Sequence, residues 1–178
     1  MTPILGVIDS SKLKSSGAFD SIATATLSAS TSTTFSSIPS SYKHLQLRFN
    51  VECAGSNVGM YVSFNGVTSG YAWHMIDGIP ASPTARNFTG QTSIIVSSYG
   101  RASVTTYPNV GIVDIIDYAS TTKNKTVRAY FGAQDNNTAA SSISLNSGLY
   151  PSTTAISSLT FSAGGALTGT VSLYGIKG

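Results

Sequence analysis

Apolar and polar residues alternate along much of this chain with a period of two, and little of it repeats at the helical period of 3.6. The clearest stretch sets Leu45, Leu47, Phe49, Val51 and Cys53 against His44, Gln46, Arg48, Asn50 and Glu52, the pattern of a strand with one wet face. Met60, Val62 and Phe64 then alternate with Tyr61, Ser63 and Asn65. The run ends at Asn65-Gly66, a pair that accepts the positive φ angles of a tight hairpin turn. Tyr71, Trp73 and Met75 resume the pattern, so residues 43–76 read as three successive antiparallel strands.

Farther along, Ile94-Ile95-Val96 and the run from Val110 to Tyr118 are short, apolar and bounded by Gly, Pro and Asn, which predicts strands buried on both faces. Val127, Ala129 and Phe131 alternate with Thr126, Arg128 and Tyr130, and Ile143 with Leu145 marks another short strand. Ile156, Leu159 and Phe161 and then Val171, Leu173 and Ile176 give the last two, while Ile22 to Leu27 gives the first. The glycines of Gly164-Gly165-Ala166-Leu167-Thr168-Gly169 read as a loop between the late strands. Nine or ten short strands with turn residues between them predict an all-β protein, an antiparallel two-sheet jelly-roll-like sandwich over residues 21–178. Residues 1–20 differ. Ile4, Leu5, Val7 and Ile8 form an apolar cluster, followed by a polar connector from Ser10 to Gly17, the pattern of an extended N-terminal arm that docks on its own sheet or on a neighbour.

Composition sharpens this. Only 10% of the 178 residues are charged, against roughly 25% in an average domain, while Ser and Thr together number 51. That excludes a coiled coil and a charge-driven disordered tail. Net charge is +3, but the ten Lys and Arg are scattered rather than gathered on one face, so nucleic acid is not an expected partner. No run of about 18 apolar residues could span a bilayer as a helix, and the first residues lack a basic leader, so neither membrane insertion nor export is expected. Cys53 is the only cysteine, which rules out an intramolecular disulfide and a cysteine zinc site.

Titratable groups are few: seven acids and two histidines, His44 and His74. Asp114 and Asp117 are the closest carboxylate pair in sequence, but three residues apart on a strand they point to opposite faces, and pairing with Lys123, Lys125 or Arg128 is the simpler role. The Gly-x-Ser-x-Gly elbow and the His-Glu-x-x-His spacing are both absent. No catalytic residue, metal or cofactor is therefore assigned, and an esterase or depolymerase is the least favoured reading. Tyr71, Trp73 and His74, with Tyr61 on a neighbouring strand, form the strongest aromatic group. Trp73 fits the core. Tyr61, Tyr71 and His74 are the candidates for touching a glycan or a partner, because rings give large contact area at low entropy cost. Cys53 continues an inward face and reads as an inert buried thiol.

Several stretches resemble a family of small virion proteins of tailed bacteriophages, cyanophages among them. They are Pro3-Ile4-Leu5-Gly6-Val7-Ile8, the block from Ser36 to Arg48, Phe64-Asn65-Gly66, Asp114-Ile115-Ile116-Asp117-Tyr118-Ala119 with Lys123-Asn124-Lys125-Thr126, and Ser172-Leu173-Tyr174-Gly175-Ile176-Lys177-Gly178. The resemblance implies a jelly-roll structural part of the virion, assembled in the host cytoplasm and acting as a homotrimer with other virion proteins such as the major capsid protein. The absence of a fibre shaft favours a capsid decoration, or cement, protein. A tail, neck or fibre component involved in host adsorption is the alternative, and a secreted carbohydrate-binding module the third reading. On the leading reading, the arm residues Ile4, Leu5, Val7 and Ile8 clamp a neighbouring subunit.

Overall fold

The computed structural model describes residues 17–55, 58–79, 82–98, 108–134 and 141–178. Ten strands follow one another along the chain: β1 (Phe19–Phe35), β2 (His44–Ala54), β3 (Met60–Phe64), β4 (Tyr71–Ile79) and β5 (Ser82–Gln91), then β6 (Ile94–Ile95), β7 (Asn109–Ile116), β8 (Lys125–Ala133), β9 (Ser142–Tyr150) and β10 (Leu159–Ile176). The fold is all-β, with every pairing antiparallel, in the order β5-β4-β9-β8-β7-β2-β10-β3-β6 and with β1 beside β10. The sheet bends until β6 lies against β4 and β9, so it comes close to closing into a barrel. The predicted arm, with Ile4, Leu5, Val7 and Ile8, falls outside the described residues apart from residues 17–20, of which Phe19 and Asp20 already belong to β1.

The bend is made by the glycines that the sequence places in a loop. β10 runs unbroken from Leu159 to Ile176, pairing first with β3 through Leu159–Ala163 and then with β2 through Ala166–Ile176. Gly164 and Gly165 sit at the change of partner, where a Cβ on Gly165 would stand 1.9 Å from the Ala54 carbonyl oxygen. Only a residue without a side chain lets the strand turn so tightly against its neighbour. β1 follows the same curve through register shifts near Ser21, Leu27 and Ser30, the usual device for bending a strand.

Asn65-Gly66 is a turn but not a hairpin. Both residues have positive φ (53° and 69°), and the Val67 N–H donates to the Phe64 carbonyl at 2.9 Å. The strands it joins do not pair: β3 lies between β10 and β6, β4 between β5 and β9, and β2 between β10 and β7. The turn carries the chain from one side of the bent sheet to the other, and the Asn65 side chain anchors it. Its Oδ1 accepts from the Ser157 and Ser158 amides, and its Nδ2 donates to the Ala155 carbonyl.

Inside, one continuous core joins the two sides. Phe49 on β2 meets Phe161 on β10 with ring centroids 5.0 Å apart and Phe131 on β8 at 6.4 Å. Gly111 makes room for Phe49, since a Cβ there would approach the ring to 2.2 Å. At the other end Phe64, Tyr71 and Tyr150 form an aromatic cluster, Tyr71 and Tyr150 stacked at 5.3 Å. Trp73 is buried against Phe88 at 4.4 Å, the core role read from sequence. Ile94 and Ile95 are buried on both faces as predicted, but β7 is not: Val110 and Ile112 are 46% and 43% exposed.

Candidate interaction face

The outer face of β4, β9, β8 and β7 departs from the ordinary rule of polar outside and apolar inside. In β9, Ser142-Ile143-Ser144-Leu145-Asn146-Ser147-Gly148-Leu149-Tyr150, burial alternates strictly, and Ile143, Leu145 and Leu149 point outward while Ser142, Ser144 and Asn146 are buried. A one-residue change of register would reverse every one of these. Two neighbours forbid it. Tyr150 must enter the aromatic cluster beside Tyr71, and Gly148 must face Ile94, where a Cβ would come within 2.4 Å of the Ile94 Cγ2.

Cross-strand register gathers the outward apolar residues. Ile76 on β4 stands opposite Leu145, Leu145 opposite Tyr130 on β8, and Tyr130 opposite Ile112 on β7. The adjacent row runs Gly78, Ile143, Gly132 and Val110 in the same order. Ile143 is 63% exposed, Ile76 60% and Tyr130 58%. Among the described residues the eight exposed large hydrophobic ones are Ile76, Val110, Ile112, Tyr130, Ile143, Leu145 and Leu149 on this face, and Phe19, whose ring lies beneath the Arg48 guanidinium at 5.1 Å.

A polar row borders the patch. Arg128 Nη2 donates to Asp114 Oδ2 at 3.1 Å, Gln46 Nε2 to Asp114 Oδ1 at 2.8 Å, and Arg48 Nε to Gln46 Oε1 at 2.7 Å, tying β8, β7 and β2 together. Beside it a groove of about 630 Å³ is lined by His74, Ile76, Asn87, Arg128, Leu145 and Ser147 among others. Behind the apolar rows, the buried polar side of β9 draws the bent sheet together: Asn146 Nδ2 donates to the carbonyls of Ile95 and Ser97 at 3.0 Å each, joining β9 to the end of β6. Asp77, directly opposite Ser144, is also buried and faces Arg86 at 3.6 Å.

The residues named for a glycan or partner contact do not form one site. Tyr71 is fully buried, and this corrects its role as a surface ring. Its hydroxyl accepts from the Phe64 N–H at 2.8 Å and lies 3.2 Å from the Val67 carbonyl, and burial pushes its pKa up to about 12. Tyr61 is half-buried on β3, on the far side of the bent sheet, and His74 alone faces outward in the groove. Sequence periodicity placed Tyr71 on the same face as Trp73 and Met75, and that parity was the available signal for its burial.

The carboxylates do not converge either. Asp114 belongs to the polar row. Asp117 lies just past β7, 3.1 Å from Lys123 and 3.5 Å from Lys43, and the hydrogen bond from Lys123 holds its carboxyl below the ordinary aspartate value. Lys125 joins neither. Its ammonium is buried and donates to the carbonyls of Ser120, Lys123 and Ser152 at 2.5, 3.0 and 3.2 Å, and burial lowers its pKa. Cys53 is buried, which raises its thiol pKa.

Among the described residues, no three His, Cys, Asp or Glu side chains come together as a metal site, and no helix is long and apolar enough to cross a membrane. Compared with known proteins, the chain matches no family model and no curated protein.

Proposed function

We propose that this protein is a non-enzymatic structural subunit of a bacteriophage virion, first of all a capsid decoration protein that binds and stabilises its neighbours. One observation carries the assembly role: the contiguous outward apolar face centred on Ile143, Leu145 and Tyr130. Monomeric proteins rarely expose connected apolar patches beyond a few hundred Å², and larger ones mark surfaces that another protein covers. The virion setting rests on the motifs from Pro3 to Ile8, Ser36 to Arg48 and Ser172 to Gly178. A bent antiparallel sheet with two facing sides also suits the jelly-roll-like module that those motifs imply.

Quantitative mass spectrometry of purified phage particles tests this reading. Capsid decoration predicts hundreds of copies per particle, whereas a dozen or fewer moves the protein to the neck, tail or fibre. Absence from particles overturns the virion role.

A further inference from the structure

The apolar face has a shape and a charge that narrow what covers it. We infer that it pairs with the same face of a second copy of this chain, about a two-fold axis. This inference rests on the assembly role proposed above and names the partner at that face.

The first argument is distribution. Seven of the eight exposed large hydrophobic residues among the described ones lie on this face, and the eighth, Phe19, is capped by Arg48 at the border. A head-to-tail contact joins two different patches, and the described surface offers one. A single patch that meets another copy must meet itself, which is the isologous arrangement of a two-fold dimer.

The second argument is charge. The bordering polar row is satisfied within the molecule, because Arg128 and Gln46 both donate to Asp114 and Arg48 donates to Gln46. No unpaired carboxylate stands in that row to select a basic partner, and Arg128 is already neutralised by Asp114 at 3.1 Å. Arg48, opposite Ile112 at the edge, keeps one positive charge, held against the Phe19 and Tyr174 rings. The apolar rows themselves carry no charge, and the surface that complements them is another uncharged apolar surface such as this one.

The third argument is size and relief. At about 4.8 Å between strands and 3.3 Å per residue, the outer face from β4 to β2 and from Thr126 to Gly132 measures about 24 by 20 Å. That is roughly 500 Å² in projection. Counted on both copies, with the polar border on β2 included, that reaches the roughly 1,000 Å² in total that a specific interface must clear. Ile143 stands as a ridge between Gly78 and Gly132, its Cγ2 only 2.8 Å from where a Cβ of Gly78 would lie. Ile143 thus leans over Gly78, while a Cβ at Gly132 would meet only the Val110 Cγ2, at 4.0 Å, so the open hollow at Gly132 is the one that receives the ridge of a copy related by a two-fold axis.

Sedimentation velocity of the full chain tests the pairing. The native protein is expected to run as a dimer at tens of micromolar and to dissociate on dilution. Leu145→Asp, which puts a carboxylate at the centre of the face, should weaken association by about 100-fold or more. Thr34→Asp, outward on β1 opposite Thr160 and beyond the corner at Gly164, should leave the dimer intact. Ile143→Asn should weaken it too, and decides the matter if Leu145→Asp does not fold. A native monomer at every concentration, a trimer, or a Leu145→Asp protein that dimerises normally overturns the inference. If the dimer stands but particles lack the protein, the virion reading falls alone; if particles contain it but the chain is monomeric, the pairing falls alone.

Discussion

Two outward faces of the same bent sheet follow opposite rules. On the β1 and β10 side the exposed positions carry hydroxyls that pair with one another across the strands, Thr24 with Ser172 and Thr34 with Thr160, each at 2.8 Å. These side chains suit an exposed pleated surface because they favour extended backbone and satisfy one another without charge. On the β4, β9, β8 and β7 side the exposed positions include Ile76, Leu145, Tyr130 and Ile112, while Ser142, Ser144 and Asn146 are turned inward. The difference teaches that composition alone does not set which face is wet. The hydroxyl-rich face is complete as it stands in water. The apolar face is complete, on the pairing proposed above, when a second copy covers it, and its polar interior is held by Asn146, which ties β9 to β6.

The sharpest way to break this contrast is to remove what fixes β9. Tyr150→Ala deletes the ring stacked on Tyr71 and opens a cavity beside Phe64, and should destabilise the fold by about 3–5 kcal/mol in urea unfolding. Gly148→Ala attacks the same parity from the other side. Its new methyl meets Ile94 in a closed core, so a loss of about 1–3 kcal/mol is expected, and an unchanged midpoint would show that Ile94 can move aside.

Smaller effects sharpen the comparison. Ser144 Oγ is buried with no hydrogen-bond partner, so Ser144→Ala should be neutral or stabilising by up to about 1 kcal/mol, whereas loss of stability would show that the hydroxyl is satisfied. On the hydroxyl-bearing side, Thr34→Ala removes one exposed cross-strand pair and should cost about 0.2–1 kcal/mol, read from the same unfolding curves. Smallest is the pH effect of Asp117. Its carboxyl is held low in the folded state, chiefly by Lys123, so its contribution is present above the unfolded value of about 3.9. It is lost as pH falls through the lower folded value. The difference in melting temperature between the native chain and Asp117→Asn should accordingly vanish in acid; a difference that persists there would contradict the pairing.

Much of the fold was legible in the sequence, because alternation reports burial wherever one face is wet. β2 and β8 follow it residue by residue, and the short apolar run at Ile94-Ile95 is buried on both faces. What escaped was set by tertiary neighbours. β5, with the sequence Ser-Pro-Thr-Ala-Arg-Asn-Phe-Thr-Gly-Gln, has almost no apolar pattern and is a strand because β4 offers it an edge. Gly164 and Gly165 have the composition of a loop but serve as the corner of a long strand. Asn65-Gly66 has hairpin chemistry, and only the pairing of β3 with β10 shows that the turn crosses between the two sides instead.

The candidate face was less legible still. Ile143 and Leu145 announce a strand, but their direction depends on Tyr150 and Gly148 at the far end of the same element and on Tyr71 and Ile94 elsewhere in the chain. The aromatic group that drew notice from sequence divides between core and surface: Trp73 and Tyr71 inside, His74 outside. Ser and Thr describe one outer face well and say nothing of the other.

The central claim is that the outward face of β9 and its neighbours is a contact surface, and hydroxyl-radical footprinting of Tyr130 tests it most directly. Its ring is 58% exposed in the single chain. The account predicts rapid oxidation of Tyr130 in dilute protein and clear protection as concentration rises, with Thr-rich peptides of β1 unchanged. Equal oxidation of Tyr130 at every concentration and in assembled particles would contradict it.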